Sequence, residues 1–395
     1  MATLQLSEKY DNYDFPITPE NPQPGHYGNI NEIQAASVEQ LRLMLEAEGY
    51  TNELDTLTLL RFLRARKWVV ADAKKMFVDF IAWRKSIKLD EIVPTWDYSE
   101  KQDVQKYYKQ FYHKIDKDGR PVYIETLGGI DLAAMYKITS EERMLNNLAV
   151  EYERVADPRL PACSRKAGHL LETCCTIMDF KGVGIGKASQ VYDYVKKAST
   201  ISQNYYPERL GKLYLINTPW GFSAVWSIVS GWLDPVTVSK IKVLGSGYQK
   251  DLLAQVPAEN LPKAFGGTCE CAQGCENSDA GPWHDPQWSK PAKWEKKDTT
   301  IVNQGSAIET PAAGAPAPLA ERPRKRLRRL LRHRWDETYK RLCYDERKQG
   351  DKRRREDLGK LESGISCLNH KRGERGRHLG IFAGIASSYT FSLTG

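Results

Sequence analysis

Apolar residues recur every three or four positions near the start of the chain, which is the spacing of amphipathic helices. A first helix is expected to begin at Ser37, where Ser37 and Gln40 form an S-x-x-Q capping box, and to stop at Gly49. Two further helices are predicted over residues 55–66 and 70–86. Three helices in succession indicate a small all-helical lobe.

Strand-like runs alternate with helical periodicity after the turn signal at Asp118-Gly119. The four predicted strands are PVYIETLG, HLLETCCTIMDF, KLYLINTPW and SKIKVLG. Helices are expected between them, one capped by Thr139 and one after the glycine-rich turn KGVGIG. This alternation is typical of an α/β layer with a mainly parallel sheet, because right-handed crossovers place the helices on the sheet's faces.

The predicted fold class is therefore α/β, with a helical lobe before the α/β lobe. Four segments are expected in chain order: an extended Pro- and Asn-rich arm over 1–35, the helical lobe over 36–115, the α/β lobe over 116–290, and a linker with a basic low-complexity tail over 291–395.

One predicted helix, FSAVWSIVSGWL from Phe222 to Leu233, is apolar on nearly every side. At about 1.5 Å per residue it reaches only ~18 Å, too short for the ~30 Å hydrocarbon core of a bilayer. Pro219 and Gly221 before it and Asp234-Pro235 after it are breakers at both ends. We interpret it as a gate over an apolar cavity that can open onto a bilayer; an ordinary buried core helix is the alternative. Its gate and pocket residues are Phe222, Val225, Trp226, Ile228 and Val229.

The net charge of +8 comes from the end of the chain. Residues 301–395 hold 21 Lys and Arg against 11 Asp and Glu, which leaves the rest close to neutral. No nucleic-acid partner is expected for the folded part. The basic run could bind nucleic acid or anionic lipid, stay solvated, or come from a misread gene boundary.

The chain shows neither a signal peptide nor a run of about 18 apolar residues, so a cytoplasmic protein with reduced cysteines is expected. Three cysteines, Cys269, Cys271 and Cys275, form a C-x-C-x₃-C cluster that could be half a zinc site, with His284 nearby. Because no second pair matches it, we expect a loop with incidental cysteines and no metal.

The usual catalytic motifs are missing. Gly182, Gly184 and Gly186 give G-x-G-x-G, whose third glycine comes too early for a dinucleotide fingerprint. The residues after Ser223 do not complete a nucleophile elbow, which an acyl hydrolase on this scaffold would need. The sequence therefore argues against an enzyme.

Polar residues at the ends of apolar elements remain as candidates for binding a phosphate or polyol headgroup. They are Arg66-Lys67, Glu208-Arg209, and Thr237 with Lys240. Tyr108 and Tyr112 could form an aromatic wall for a choline cation, or could simply pack in the core.

Several long segments of the chain resemble the CRAL-TRIO lipid-binding family, and closely the fungal phosphatidylinositol/phosphatidylcholine transfer proteins. These segments lie in order over roughly residues 35–287 and include LTLLRFLRARKW, YHKIDKDGRPVY, ISQNYYPERLGKLYLINTPWGFS and AENLPKAFGG. The resemblance implies a helical lobe plus an α/β lobe whose deep apolar pocket holds one phospholipid as cargo, with no cofactor.

The resemblance also implies two headgroup sites. Its phosphatidylinositol site corresponds to Arg66, Lys67, Glu208, Thr237 and Lys240. Its phosphatidylcholine site corresponds to Tyr108, Tyr112, Cys174, Thr176 and Ser202. The family usually has Ser where this chain has Cys174, and a thiol is a weaker hydrogen-bond donor to phosphate.

The expected function is exchange of single phospholipids between membranes, with phosphatidylinositol presented for phosphoinositide synthesis. A carrier of another hydrophobic ligand, such as a sterol, is the alternative. The expected partners are phospholipids and a membrane surface, with functional coupling to phosphatidylinositol kinases. A monomer is expected, cytoplasmic and peripheral on Golgi or endosomal membranes.

Overall fold

The computed structural model describes residues 4–183, 188–220, 222–230 and 235–295. The predicted basic tail lies outside the described residues from position 296 onward. The described region consists of a helical part followed by a five-stranded sheet with helices around it.

The sheet has the strand order β1-β2-β3-β4-β5. Its strands are β1 (Lys109–Ile115), β2 (Pro121–Thr126), β3 (Cys174–Asp179), β4 (Leu210–Ile216) and β5 (Ile241–Val243). The first two strands are an antiparallel hairpin, and every later neighbour pairs in parallel. The predicted α/β class with a mainly parallel sheet is confirmed.

The helical part contains α1 (Glu32–Ala47), α2 (Thr56–Ala65), α3 (Val70–Ser86), α4 (Leu89–Ile92) and α5 (Lys101–Val104). The remaining helices are α6 (Leu132–Met135), α7 (Glu141–Arg154), α8 (Leu160–Ala167), α9 (Ala188–Tyr205), α10 (Phe222–Ser230), α11 (Pro235–Ser239), α12 (Gln249–Gln255) and α13 (Cys275–Ser278). The predictions for α2 and α3 are confirmed to within one residue.

The predicted all-helical lobe over 36–115 is wrong at its end, because residues 109–115 form strand β1. The turn DKDGR joins β1 to β2, whereas the sequence predicts a strand only after it. The Asp116 carboxylate closes this turn by accepting from the backbone N–H groups of Asp118 and Arg120 at 3.0 and 2.8 Å. Gly119 adopts φ +85° in it, a conformation that glycine tolerates best.

Two predicted helix starts are also corrected. Helix α1 begins a turn earlier than Ser37, because Asn31 and Gln34 make the capping box; the Ser37 hydroxyl instead donates to the Ile33 carbonyl oxygen at 2.8 Å. Helix α7 is capped by Ser140, whose side chain accepts from the Arg143 N–H at 3.2 Å, and not by Thr139. Both errors arise because neighbouring polar residues satisfy the same capping pattern.

The helical part is held to the α/β part by a buried charge pair. Arg84 of α3 donates to the Glu153 carboxylate of α7 at 2.6 Å, and the Tyr206 hydroxyl donates to the same oxygen at 2.7 Å. Aromatic packing surrounds this contact, with Trp83 stacked on Tyr205 at 4.2 Å between ring centroids. Because these groups join α3, α7 and the end of α9, they fix the helical part against helices α7 and α9.

Replacing Glu153 with Gln should destabilise the protein by about 3–5 kcal/mol, because the buried Arg84 charge would lose its buried partner. The free energy of unfolding in urea measures this. Glu91→Gln is the matched control, since Glu91 is exposed. Equal stability of the two variants would contradict the role assigned to the pair.

Candidate functional site

A cavity lies between one face of the sheet and helices α7 and α9. It encloses about 1170 Å³ counting its open mouth. Strand β3 shows how the sequence builds it: Cys174, Thr176 and Met178 point into the cavity, whereas Cys175 and Ile177 pack in the core on the other face. The period of two in a strand thus separates cavity lining from core.

The opposite wall of the cavity comes from helices. Leu148 and Tyr152 of α7 and Ala198 and Ser202 of α9 line it, each pair four residues apart on one helical face. The Tyr152 phenol and the Ser202 hydroxyl are hydrogen-bonded to each other. The cavity is therefore apolar over much of its wall and carries a few hydroxyl groups at fixed places, which suits an amphipathic ligand.

A buried polar network on β1 and β2 forms part of the wall, and sequence reasoning missed it. The Gln110 amide donates to the hydroxyls of Tyr108 and Tyr123, both at 3.0 Å, and Tyr108 in turn donates to the Glu125 carboxylate. Gln110 and Glu125 face each other across the hairpin. The signal of this network in the sequence is alternation: Tyr108 and Gln110 are two residues apart, as are Tyr123 and Glu125.

Four of the five residues predicted for a choline headgroup line this cavity together. They are Tyr112, Cys174, Thr176 and Ser202. Tyr108 instead is buried behind the wall, against Tyr194 at 6.1 Å between ring centroids. Burial raises the pKa of the Cys174 thiol to about 12, so it is protonated at neutral pH.

Tyr112 already contacts a cation. The Arg159 guanidinium lies 4.5 Å from the centroid of the Tyr112 ring and pairs with Glu151 at 2.9 Å and Asp279 at 3.0 Å. A ligand cation over Tyr112 must therefore approach its other face or its edge. This arginine is a second feature that the sequence did not indicate.

Charged residues lie on one side of the cavity, where α2 meets the segment before β4. Arg64 pairs with Glu172 at 3.3 Å and with Glu208 at 3.8 Å. Glu208 and Arg209 line the cavity. Burial, aided by the nearby Arg61, lowers the pKa of Arg209 to about 10, which still leaves it protonated at neutral pH. Three arginines against two carboxylates leave an excess of positive charge beside the apolar cavity, which favours an anionic group in the ligand.

The residues predicted for an inositol headgroup occupy two places. Arg66 and Lys67 follow directly after α2, one and two residues beyond its end, and Glu208 pairs with Arg64 of the same helix. Thr237 and Lys240 lie at the junction of α11 and β5, where the Lys240 N–H donates to the Thr237 carbonyl oxygen at 3.0 Å. Of the five, Glu208 is the member that lines the cavity drawn by the described residues.

The predicted gate is a helix over Phe222–Ser230. Phe222 is buried against Phe180 at 5.3 Å between ring centroids, and Trp226 is half-buried. The side chains of Val225, Ile228 and Val229 and the residues 231–234 lie outside the described residues, so the gate itself stays a prediction.

Two apolar side chains next to the gate helix face solvent. Trp220, directly before α10, is fully exposed, and Val236 in α11 is 64% exposed. Among the described residues, none of the helices combines the length and the apolar character needed to cross a bilayer.

Comparison with known proteins assigns both parts of the described region. The family model for the CRAL/TRIO domain matches residues 105–267, and that for the CRAL/TRIO N-terminal domain matches residues 32–79. The Sec14 cytosolic factor of Schizosaccharomyces pombe is 55% identical over 274 residues, which cover 69% of this chain and 96% of the relative.

Two further relatives extend this similarity. The SEC14 cytosolic factor of Candida glabrata is 55% identical over 69% of this chain and 91% of the relative. The phosphatidylinositol/phosphatidylcholine transfer protein SFH12 of Arabidopsis thaliana is 37% identical over 66% of this chain and 49% of the relative. The similarity thus spans the part of the chain that builds the cavity.

Replacing Ala198 with Phe should narrow the cavity and weaken uptake of an apolar fluorescent probe, because Ala198 lines the cavity from α9. Thr200→Phe is the control, since Thr200 lies on the exposed side of the same helix. Probe titration compares the two. Unchanged binding by the Ala198 variant would show that the ligand space lies elsewhere.

Proposed function

Because this chain belongs to the CRAL/TRIO family, we propose that it is a phosphatidylinositol/phosphatidylcholine transfer protein that exchanges single phospholipids between membranes. The observation that carries the proposal is the 55% identity to a Sec14 cytosolic factor over 96% of that relative's length. The cavity agrees with it, since an apolar wall with fixed hydroxyls and a charged rim matches the two ends of a phospholipid.

Exchange requires that cargo leave a bilayer at little net cost. Burial of acyl chains stabilises by about 0.8 kcal/mol per CH₂, which offsets the loss of the bilayer environment. One phospholipid replaced by another in the same cavity leaves this contribution almost unchanged. We place the opening at α10, where the exposed Trp220 and Val236 would touch the membrane while the gate is open.

For phosphatidylcholine, the proposed headgroup site comprises Tyr112, Cys174, Thr176 and Ser202, with Tyr108 supporting it through Glu125. Hydroxyl groups would donate to the phosphate, and the free side of the Tyr112 ring would meet the choline. A thiol at position 174 donates weakly, so we expect this site to bind the phosphate less tightly than it would with serine there.

For phosphatidylinositol, the proposed site comprises Arg66, Lys67, Glu208, Thr237 and Lys240. Cations would pair with the phosphate, and the Glu208 carboxylate and Thr237 hydroxyl would bind inositol hydroxyls. The support is Glu208 at the cavity wall, joined through Arg64 to the helix that ends just before Arg66.

The wider proposals follow from the transfer function. The protein would act without catalysis and without a cofactor, with the bound phospholipid as cargo, and would present phosphatidylinositol to phosphatidylinositol kinases. Two relatives bear the name cytosolic factor, which supports a cytoplasmic protein. We propose a monomer that binds Golgi or endosomal membranes peripherally.

Lys240→Ala should reduce phosphatidylinositol transfer roughly tenfold or more, because a charge-assisted hydrogen bond contributes about 1.5–3 kcal/mol. Phosphatidylcholine transfer should be spared. The measurement is transfer of each labelled lipid between vesicles. Lys242→Ala is the control, since Lys242 pairs with Asp251 at 3.0 Å. Equal loss of both activities would defeat the headgroup assignment.

Cys174→Ser should raise phosphatidylcholine transfer relative to phosphatidylinositol by roughly two- to tenfold, because a hydroxyl hydrogen bond contributes about 0.5–1.5 kcal/mol. Cys175→Ser is the comparison, since Cys175 packs on the other sheet face. The same assay gives the ratio of the two lipids. A ratio that moves equally in both variants would exclude Cys174 from the choline site.

A further inference from the structure

Four potential metal ligands meet on the side of β1 that faces away from the cavity. They are His113, Cys269, Cys271 and Cys275. Their ligand atoms all lie within 4.8 Å of one another. His113 and Cys275 are buried, and Cys269 and Cys271 are half-buried. The group is therefore a compact cluster and not a set of solvent-facing side chains.

The distances within the cluster fit a tetrahedral ion. With a Zn–S bond of about 2.3 Å, two sulfurs of a tetrahedron lie about 3.8 Å apart. The sulfurs of Cys269 and Cys271 are 3.9 Å apart, and His113 Nε2 lies 3.3 Å from the Cys269 sulfur. These two separations are close to those of a tetrahedral site, and the Cys275 sulfur lies within 4.8 Å of the other three donors.

The histidine is held with the correct nitrogen toward the sulfurs. Its Nδ1 lies 3.1 Å from the Ser278 hydroxyl, which itself donates to the Cys275 carbonyl oxygen at 3.0 Å. The hydroxyl must therefore accept from Nδ1–H, which leaves the Nε2 lone pair facing the cluster.

We propose that His113, Cys269, Cys271 and Cys275 bind one Zn²⁺ ion in a closed Cys₃His site. Three thiolates and one imidazole are typical of structural zinc, and four protein ligands leave no position for substrate. Binding releases the three thiol protons to solvent and leaves a net charge of −1 on the site. Lys114, the residue after His113, lies close enough to offset part of it.

The expectation of a loop with incidental cysteines and no metal rested on sequence spacing, with His284 near the cysteines. The structure pairs His284 with Asp279 at 3.0 Å instead. The actual fourth donor, His113, lies far away in sequence on strand β1, so no ligand spacing could reveal it. Only the packing of segment 269–280 against the β1–β2 hairpin brings His113 to the cysteines.

The site would attach segment 269–280 to an edge strand of the sheet. Strand β1 lies at one edge of the sheet, and an uncovered edge strand is prone to pair with other chains. Segment 269–280 covers it, with the Lys109 ammonium 2.5 Å from the Glu276 carboxylate and the Lys114 N–H 2.5 Å from the Ala280 carbonyl oxygen. Zinc would hold segment 269–280 against β1, on the opposite side of the strand from the cavity residue Tyr112.

Metal analysis of the full-length protein tests the proposal. Elemental mass spectrometry after expression in zinc-supplemented medium should find roughly one zinc per chain. His113→Asn and Cys271→Ser should lose most of it, whereas the control His284→Asn should keep it. A wild-type protein with almost no zinc, with iron or copper in its place, or with a loss shared equally by His284→Asn, would overturn the site.

A second measurement does not depend on whether a variant folds. Cobalt(II) exchanged into the wild-type protein should give the intense visible absorption of a tetrahedral thiolate site. Removal of zinc by a chelator should lower the melting temperature of wild type and of His284→Asn by several degrees, and should leave His113→Asn unchanged. An octahedral cobalt spectrum, or a disulfide between Cys269 and Cys271 in the intact mass, would overturn the proposal.

Discussion

The structure depends on a sheet whose two faces are used differently. One face is covered by protein: Ile124 and Ile177 pack there with Leu252 and Phe265. The other face is left partly uncovered by side chains and lines a cavity instead. Apolar atoms that line a cavity lack contacts on one side unless a ligand fills it. A lipid in the cavity would complete the core, so binding and folding stability are linked.

Other described elements form the opposite wall and part of the rim of that cavity. The Arg84–Glu153–Tyr206 contact fixes the helical lobe against α7 and α9, the two helices that form the opposite wall. The charged residues of α2 and the segment before β4 form one side of the rim. The wall, the charged side of the rim and the apolar helix α10 thus lie on different elements, which fits the proposed division between holding the cargo, binding its headgroup and releasing it.

How much the sequence could predict depended on whether a feature is local. Helices α2 and α3 and the α/β alternation follow from apolar period and breakers, and four cavity residues followed from the family resemblance. Apart from the two helix starts, where neighbouring residues offered the same capping pattern, the failures were non-local. Strand β1 was misassigned because its character depends on pairing with β2, and the partners Glu125, Arg159 and His113 act only through contacts between distant segments. Cavity-facing polar residues in a strand resemble solvent-facing ones until the opposite wall is known.

The most direct test of the central claim is the identity of the lipid that the protein carries. Lipids would be extracted from the natively purified full-length protein and identified by mass spectrometry, before and after incubation with mixed vesicles. We predict that the extract contains phosphatidylinositol and phosphatidylcholine, together about one molecule per chain, and that each can replace the other during incubation. A sterol in the cavity, or no lipid at all, would contradict the transfer function while leaving the fold assignment intact.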